Sequence, residues 1–153
     1  MKNSLFLLFG VILISCNDKP KLKNNTVSIS NDYFEKYYND GGETSRLRNA
    51  IIVKGDTNSY KELRDIYLLS EHSNEFFYYS FTMAHNYNYP DAYFDLFSFL
   101  KHSPVKGKME NLKEYYLLKA FELGSHKSKF HIKEKYKNGF IPKSVMFHNG
   151  NVP

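Results

Sequence analysis

Asp91 and Asp95 stand four residues apart. On a helix that spacing puts two carboxylates on one face, an arrangement that acid–base chemistry uses. Here the pair follows Pro90 at a predicted helix start, where carboxylates more often cap the helix and complement its dipole. Asp56 and Asn58 open like a calcium loop, but Lys61 replaces the tight-turn Gly and Tyr67 the bidentate Glu, so the loop fails. The six His residues are 72, 85, 102, 126, 131 and 148. His126 and His131 are five apart and point about 140° away from each other on one helix, which argues against shared metal ligation. The chain holds no G-x-S-x-G elbow, no G-x-G-x-x-G, no phosphate-binding loop and no H-E-x-x-H. The expectation is therefore a protein that is not an enzyme, with no cofactor, no metal and no small-molecule substrate.

Length and composition bound the scaffold that must position any binding residue. The chain has 153 residues, enough for one modest domain, and 17% of them are aromatic, which supplies buriable surface and argues against disorder along most of it. A single Cys excludes an intramolecular disulfide framework and a four-Cys zinc site.

That Cys has its own context. Residues 1–16 read MKNSLFLLFGVILISC, with one Lys, then an unbroken apolar stretch from Leu5 to Ile14, a small residue and the Cys. About ten apolar residues are too few to span a bilayer as a helix, so the segment reads as a secretory signal peptide. Leu13, Ile14 and Ser15 in front of Cys16 resemble the lipobox of bacterial lipoproteins. The resemblance implies cleavage after Ser15, acylation of the Cys16 sulfur and a mature chain beginning at a lipidated Cys16, held in a cell envelope through its lipid. Residues 17–30, polar and rich in Lys and Asn, look like a tether. Asn17 after the Cys favours the outer membrane, by resemblance to enterobacterial sorting, with the leaflet left open. The expected organisation is a signal peptide over 1–15, lipidated Cys and tether over 16–30, a helical domain over 31–140 and a tail over 141–153.

Within the domain three segments align without gaps: Gly55 to Tyr67, Asn88 to Leu100 and Gly124 to Tyr136, starting 33 and 36 residues apart. Each begins with Gly or Asn, the residues that most readily adopt positive φ and end a helix. Each then places a small residue, an aliphatic residue and a large apolar residue at four-residue intervals: Ser59, Leu63 and Tyr67; Ala92, Leu96 and Leu100; Ser128, Ile132 and Tyr136. Four-residue spacing makes a helical stripe. Ala84 and Ala120 lie four positions before the turn residue of the last two copies. Helices are predicted over 32–38, 45–54, 58–70, 74–87, 91–101, 110–123 and 127–138, with starts at Thr57 or Asn58 and at Asp91. The pattern is weakest at the Gly41-Gly42 break and from His102 to Lys108, and Ile51, Ile52 and Val53 are β-branched enough for a short strand that has no convincing partner.

The segment from Asn111 to Gly139 resembles a Sel-one-like repeat, a relative of the tetratricopeptide repeat. Tyr116 takes the aromatic place, Lys119 and Ala120 the Lys-Ala place, Gly124 the turn Gly, Ser128 the small residue, Ile132 the Leu, Tyr136 the Tyr and Gly139 the terminal Gly. Phe121 departs where the family has a second Ala, and Lys133 where it has Gly. The resemblance implies an all-α fold, a short α-solenoid of antiparallel helix pairs with about three degenerate repeats, that binds partners and catalyses nothing.

Charge and helical geometry then nominate a surface. From Lys101 to Lys143 there are 11 Lys against 4 acidic residues, whereas Asn17 to Leu100 has 9 basic against 12 acidic. Lys129, Lys133 and Lys137 form one helical stripe, suited to acidic protein, anionic lipid or phosphorylated glycan, or simply to solvent. Export to an envelope argues against nucleic acid as the target. Phe130, Glu134 and Lys137 lie opposite Ile132, and their repeat equivalents are Phe94, Ser98 and Lys101, then Lys61, Asp65 and Leu68. Phe94, Lys101, Phe130, Glu134 and Lys137 are the candidate partner-binding residues. Tyr78, Tyr79, Tyr115 and Tyr116 read as core or inter-helix residues rather than a sugar platform. The expected function is protein–protein interaction by a lipid-anchored envelope protein, as adaptor, assembly factor or inhibitor of the immunity type. The alternative is an envelope module that binds glycan or lipid through its Lys-rich C-terminal third.

Overall fold

The computed structural model describes residues 25–101 and 107–148, with side chains from residue 32 onward. The segment expected to be a signal peptide, Cys16, the first part of the expected tether and residues 149–153 of the expected tail lie outside the described residues. Eight helices and no strand occur among the described residues: α1 (Asn25–Asn39), α2 (Gly41–Lys54), α3 (Thr57–Leu69), α4 (Ser73–Tyr87), α5 (Pro90–Lys101), α6 (Lys108–Glu122), α7 (His126–Lys135) and α8 (Val145–His148). The protein is all-α. No helix among the described residues is long and apolar enough to cross a membrane.

Three helix pairs, α2/α3, α4/α5 and α6/α7, are each closed by the turn residue that the sequence marks. Gly55 has φ +63°, Asn88 +51° and Gly124 +91°. The N–H of Gly55 donates to Ile51 O and that of Asn88 to Ala84 O, each four residues back in a left-handed cap, and the next N–H groups, of Asp56 and Tyr89, donate to Ala50 O and Met83 O. Gly124 closes α6 differently, with its N–H on Phe121 O and that of Ser125 on Ala120 O, the paired bonds of a Schellman motif. With only two or three residues between packed helices, each pair must run antiparallel.

The stripe is the core. Ser59, Leu63, Tyr67, Ala92, Leu96, Leu100, Ser128 and Ile132 are all buried, and Tyr136 is half-buried. Ala84 and Ala120 are buried as well, where the helices of a pair approach. Successive pairs stack so that α1, α3, α5 and α7 form one layer and α2, α4 and α6 the other. Backbones touch within these layers at α1/α3, α5/α7 and α2/α4. Side chains join α3 to α5 through Arg64 and Asp95, and α4 to α6 through His85 and Tyr116.

Several helix starts differ from the expected ones. The Gly41-Gly42 break is in fact one residue, Asp40, whose Oδ1 accepts the N–H groups of Gly42 and Glu43, so both glycines lie in the first turn of α2. Asp56 caps α3 by accepting the Ser59 N–H at 2.6 Å, in place of Thr57 or Asn58. Helix α1 begins at Asn25, within the segment read as tether, and Tyr38 at its far end stacks on His72 at 3.7 Å between ring centroids. Ile51 to Val53 are helical, with Ile51 buried and Val53 exposed. Residues 102–106 of the uncertain loop lie outside the described residues, and Lys108 already belongs to α6.

Candidate functional site

The buried ionisable groups answer the question that the Asp91–Asp95 spacing raised. Asp95 is 5% exposed and accepts bonds from Tyr60 Oη at 2.8 Å and from Arg64 Nε at 3.1 Å. Tyr60 Oη also lies 3.0 Å from Ser80 Oγ. Asp91 accepts the Ser125 hydroxyl at 2.7 Å, and Lys127 Nζ lies 3.4 Å from Asp91 and 3.9 Å from Asp95. Asp91 stands in the first turn of α5, where a carboxylate complements the helix dipole. Asp95 reaches across to α3 and α7 and Asp91 to the start of α7, so the pair stitches repeats together. Burial pushes the Asp95 carboxyl up from its ordinary range, with Lys127 and Arg64 acting against that rise.

A second stitch closes the last pair. Glu114, buried on α6, accepts from Lys135 and from the Tyr136 hydroxyl. Burial and this carboxylate push the Tyr136 hydroxyl pKa up. A third holds the tail: Glu122 accepts the Ser144 N–H at 2.8 Å and its hydroxyl at 2.6 Å, so the segment after α7 returns to α6 rather than docking on the last helix.

The candidate residues divide between two sides of α7. On one side His131 lies between Phe94, at 5.5 Å between ring centroids, and Phe130, at 5.7 Å, with Phe97 at 5.3 Å. Burial and then nearby Lys101 lower the pKa of His131. Phe94, Lys101 and Phe130 are thus neighbours around a histidine that helical spacing alone did not single out. Phe94 is half-buried, while Phe130 is 67% exposed. Glu134 and Lys137 form an ion pair at 3.4 Å on the other side, where they line a groove of about 500 Å³. Its apolar surface comes from Phe121, Ile132, Tyr136 and Ile141, and its rim includes Lys129 and Lys133. Phe121 and Lys133, the two departures from the repeat pattern, both face this groove.

Between α3 and α5 a smaller hollow of about 230 Å³ opens over Arg64 and Asp95, walled by Leu68, Ser98 and Phe99. Leu68 and Ser98 are the earlier members of the face that Phe130 and Lys137 nominate. Of the four tyrosines, Tyr115 and Tyr116 are buried and Tyr79 half-buried, but Tyr78 is exposed.

Among the described residues no group of three or more His, Cys, Asp or Glu side chains is placed to hold a metal ion. No protein-family model matches the chain, and no curated protein or solved structure is significantly similar to it.

Proposed function

We propose that the chain is a lipid-anchored protein of a bacterial cell envelope whose helical-repeat domain binds another protein, as adaptor, assembly factor or immunity-type inhibitor. The observation that carries this reading is how the repeats use their chemistry. Asp95 and Glu114, the buried acids, are each matched by side chains of neighbouring helices, a role in holding repeats in register. What is left outward on α7 is aromatic and lysine surface, suited to recognition. In this reading the domain is not catalytic. Leu13, Ile14 and Ser15 before Cys16 support the anchor.

Two measurements test it. Cells fed an alkyne palmitate should label the wild-type chain and not Cys16→Ser; label retained on the variant refutes the anchor. An affinity-tagged full chain, cross-linked in its own cells, should recover one protein near stoichiometrically, and Phe130→Ala with Lys137→Ala should weaken that recovery. The Lys129, Lys133 and Lys137 stripe favours the second reading, a module that binds envelope glycan or lipid. That reading expects salt-sensitive sedimentation with peptidoglycan or anionic vesicles.

A further inference from the structure

We propose that the groove between α7 and residues 139–141 is a docking site for an amphipathic α-helix with an acidic face, supplied by a protein partner. The inference rests on the protein-binding reading and names its site and the chemistry of the partner.

The geometry comes from the way the stack ends. Within the molecule α3 is covered by α1, α2 and α4, and α5 by α4, α6 and α7. Beyond α7 no full helix follows among the described residues, because α8 is four residues long and packs on α6. The apolar side chains that a next helix would cover, half-buried Phe121 and Tyr136 and exposed Ile141, instead line the open groove, with buried Ile132 at its floor. The end repeat of a solenoid ordinarily turns a polar face outward to keep the protein soluble. Here the tail beside the groove adds exposed apolar surface: Phe140 is 69% exposed and Val145 68%. An apolar end of this kind marks an interaction surface.

Charge selects the occupant. Lys129 and Lys133 line the groove one helical turn apart on α7, Lys137 lines it two residues beyond the end of that helix, and the acid among its lining residues, Glu134, is already paired with Lys137. Eight residues of helix rise about 12 Å. A helix laid alongside α7 with carboxylates at i and i+4 meets Lys129 and Lys133 in register, with a third at i+8 toward Lys137, while its apolar face covers Phe121, Tyr136 and Ile141.

The test uses the full chain in detergent and two fluorescein-labelled 16-residue helical peptides, with the same Leu face and with Glu or Lys at i, i+4 and i+8 beside it. Anisotropy should show the Glu peptide binding at least tenfold more tightly than the Lys peptide. Lys129→Glu with Lys133→Glu and Lys137→Glu should reverse that preference, and circular dichroism checks that the variant is folded. Should it not fold, Lys133→Glu alone, on the exposed rim, should still weaken the Glu peptide severalfold. Equal binding of both peptides, no binding of either, or a preference unchanged by charge reversal overturns the proposal. So does sedimentation of the wild type with phosphatidylglycerol vesicles that outcompetes the Glu peptide, or self-association that the reversal abolishes. The two readings fail separately: a cross-linked partner retained by the charge-reversed chain overturns the groove alone, whereas recovery of no protein by either chain overturns protein binding itself.

Discussion

The ring of Tyr87 lies where a side chain at Gly55 would be. A Cβ on Gly55 would overlap the Tyr87 ring, and the Tyr87 hydroxyl donates to Ile52 O at 2.7 Å, clamping the end of α4 over the α2/α3 turn. Gly55 is therefore constrained twice, by its positive φ and by this close approach. Gly55→Ala should destabilise the fold by about 2–4 kcal/mol, combining the left-handed penalty with overpacking. Gly124→Ala, where the added Cβ meets open space, should cost only about 1–2 kcal/mol. Thermal unfolding followed by circular dichroism compares them, and equal losses would remove the Tyr87 contact from the explanation.

Tyr60→Phe removes the hydroxyl that joins Ser80 on α4 to Asp95 on α5. The variant keeps the ring against Phe76 and Tyr89 but leaves a buried carboxylate one donor short. We expect a loss of about 1–3 kcal/mol, read from urea unfolding with an unchanged m value. Removing a hydroxyl at the edge, as in Tyr78→Phe, should change little.

Acid should loosen the stack through His85. Its ring lies tilted against Phe81 at 4.2 Å between centroids, and Nε2 lies 3.4 Å from Tyr116 Oη. Burial, and then the charge of His148, lower its pKa from the ordinary 6.5. The unfolded chain thus takes up the proton first, so stability that is full above about pH 6.5 drains away as pH falls through the folded value. His131, lowered by burial and by Lys101, adds a contribution of the same sign. Melting temperature measured from pH 7.5 to 5.5 should fall, and less steeply in His85→Gln with His131→Gln; an unchanged slope would point to other groups.

Glu122→Ala should release the tail while sparing the repeats. It deletes both acceptors for Ser144 and leaves the three helix pairs intact. Amide exchange over residues 140–148 should accelerate at least tenfold, with α4 and α5 unchanged. Protection retained in the tail would mean that apolar contacts of α8 on α6 are enough to hold it.

The architecture was legible where the physics is local. A Gly or Asn able to take positive φ, followed by residues every four positions, specifies a helix end and the buried face of the next helix, whatever surrounds them. Gly55, Asn88, Gly124 and the stripe from Ser59 to Ile132 behave accordingly. The β-branched run at Ile51 to Val53 was ambiguous for the same reason: local preference is weak, and burial of Ile51 against the next helices settles it as helix.

Only tertiary structure decided the rest, because it depends on residues that are distant in sequence. Asp95 finds Tyr60 thirty-five residues away and Glu114 finds Tyr136 twenty-two away. No spacing rule announces either partner, so a carboxylate that looks like a helix cap becomes a buried tie between repeats. His131 joins Phe94 to Phe130 because α5 and α7 lie side by side. The groove exists because α8 is too short to cover α7 and Glu122 draws the tail onto α6. Helical periodicity determined which residues point inward; the order in which helices stack, and where the stack stops, determined which outward residues meet.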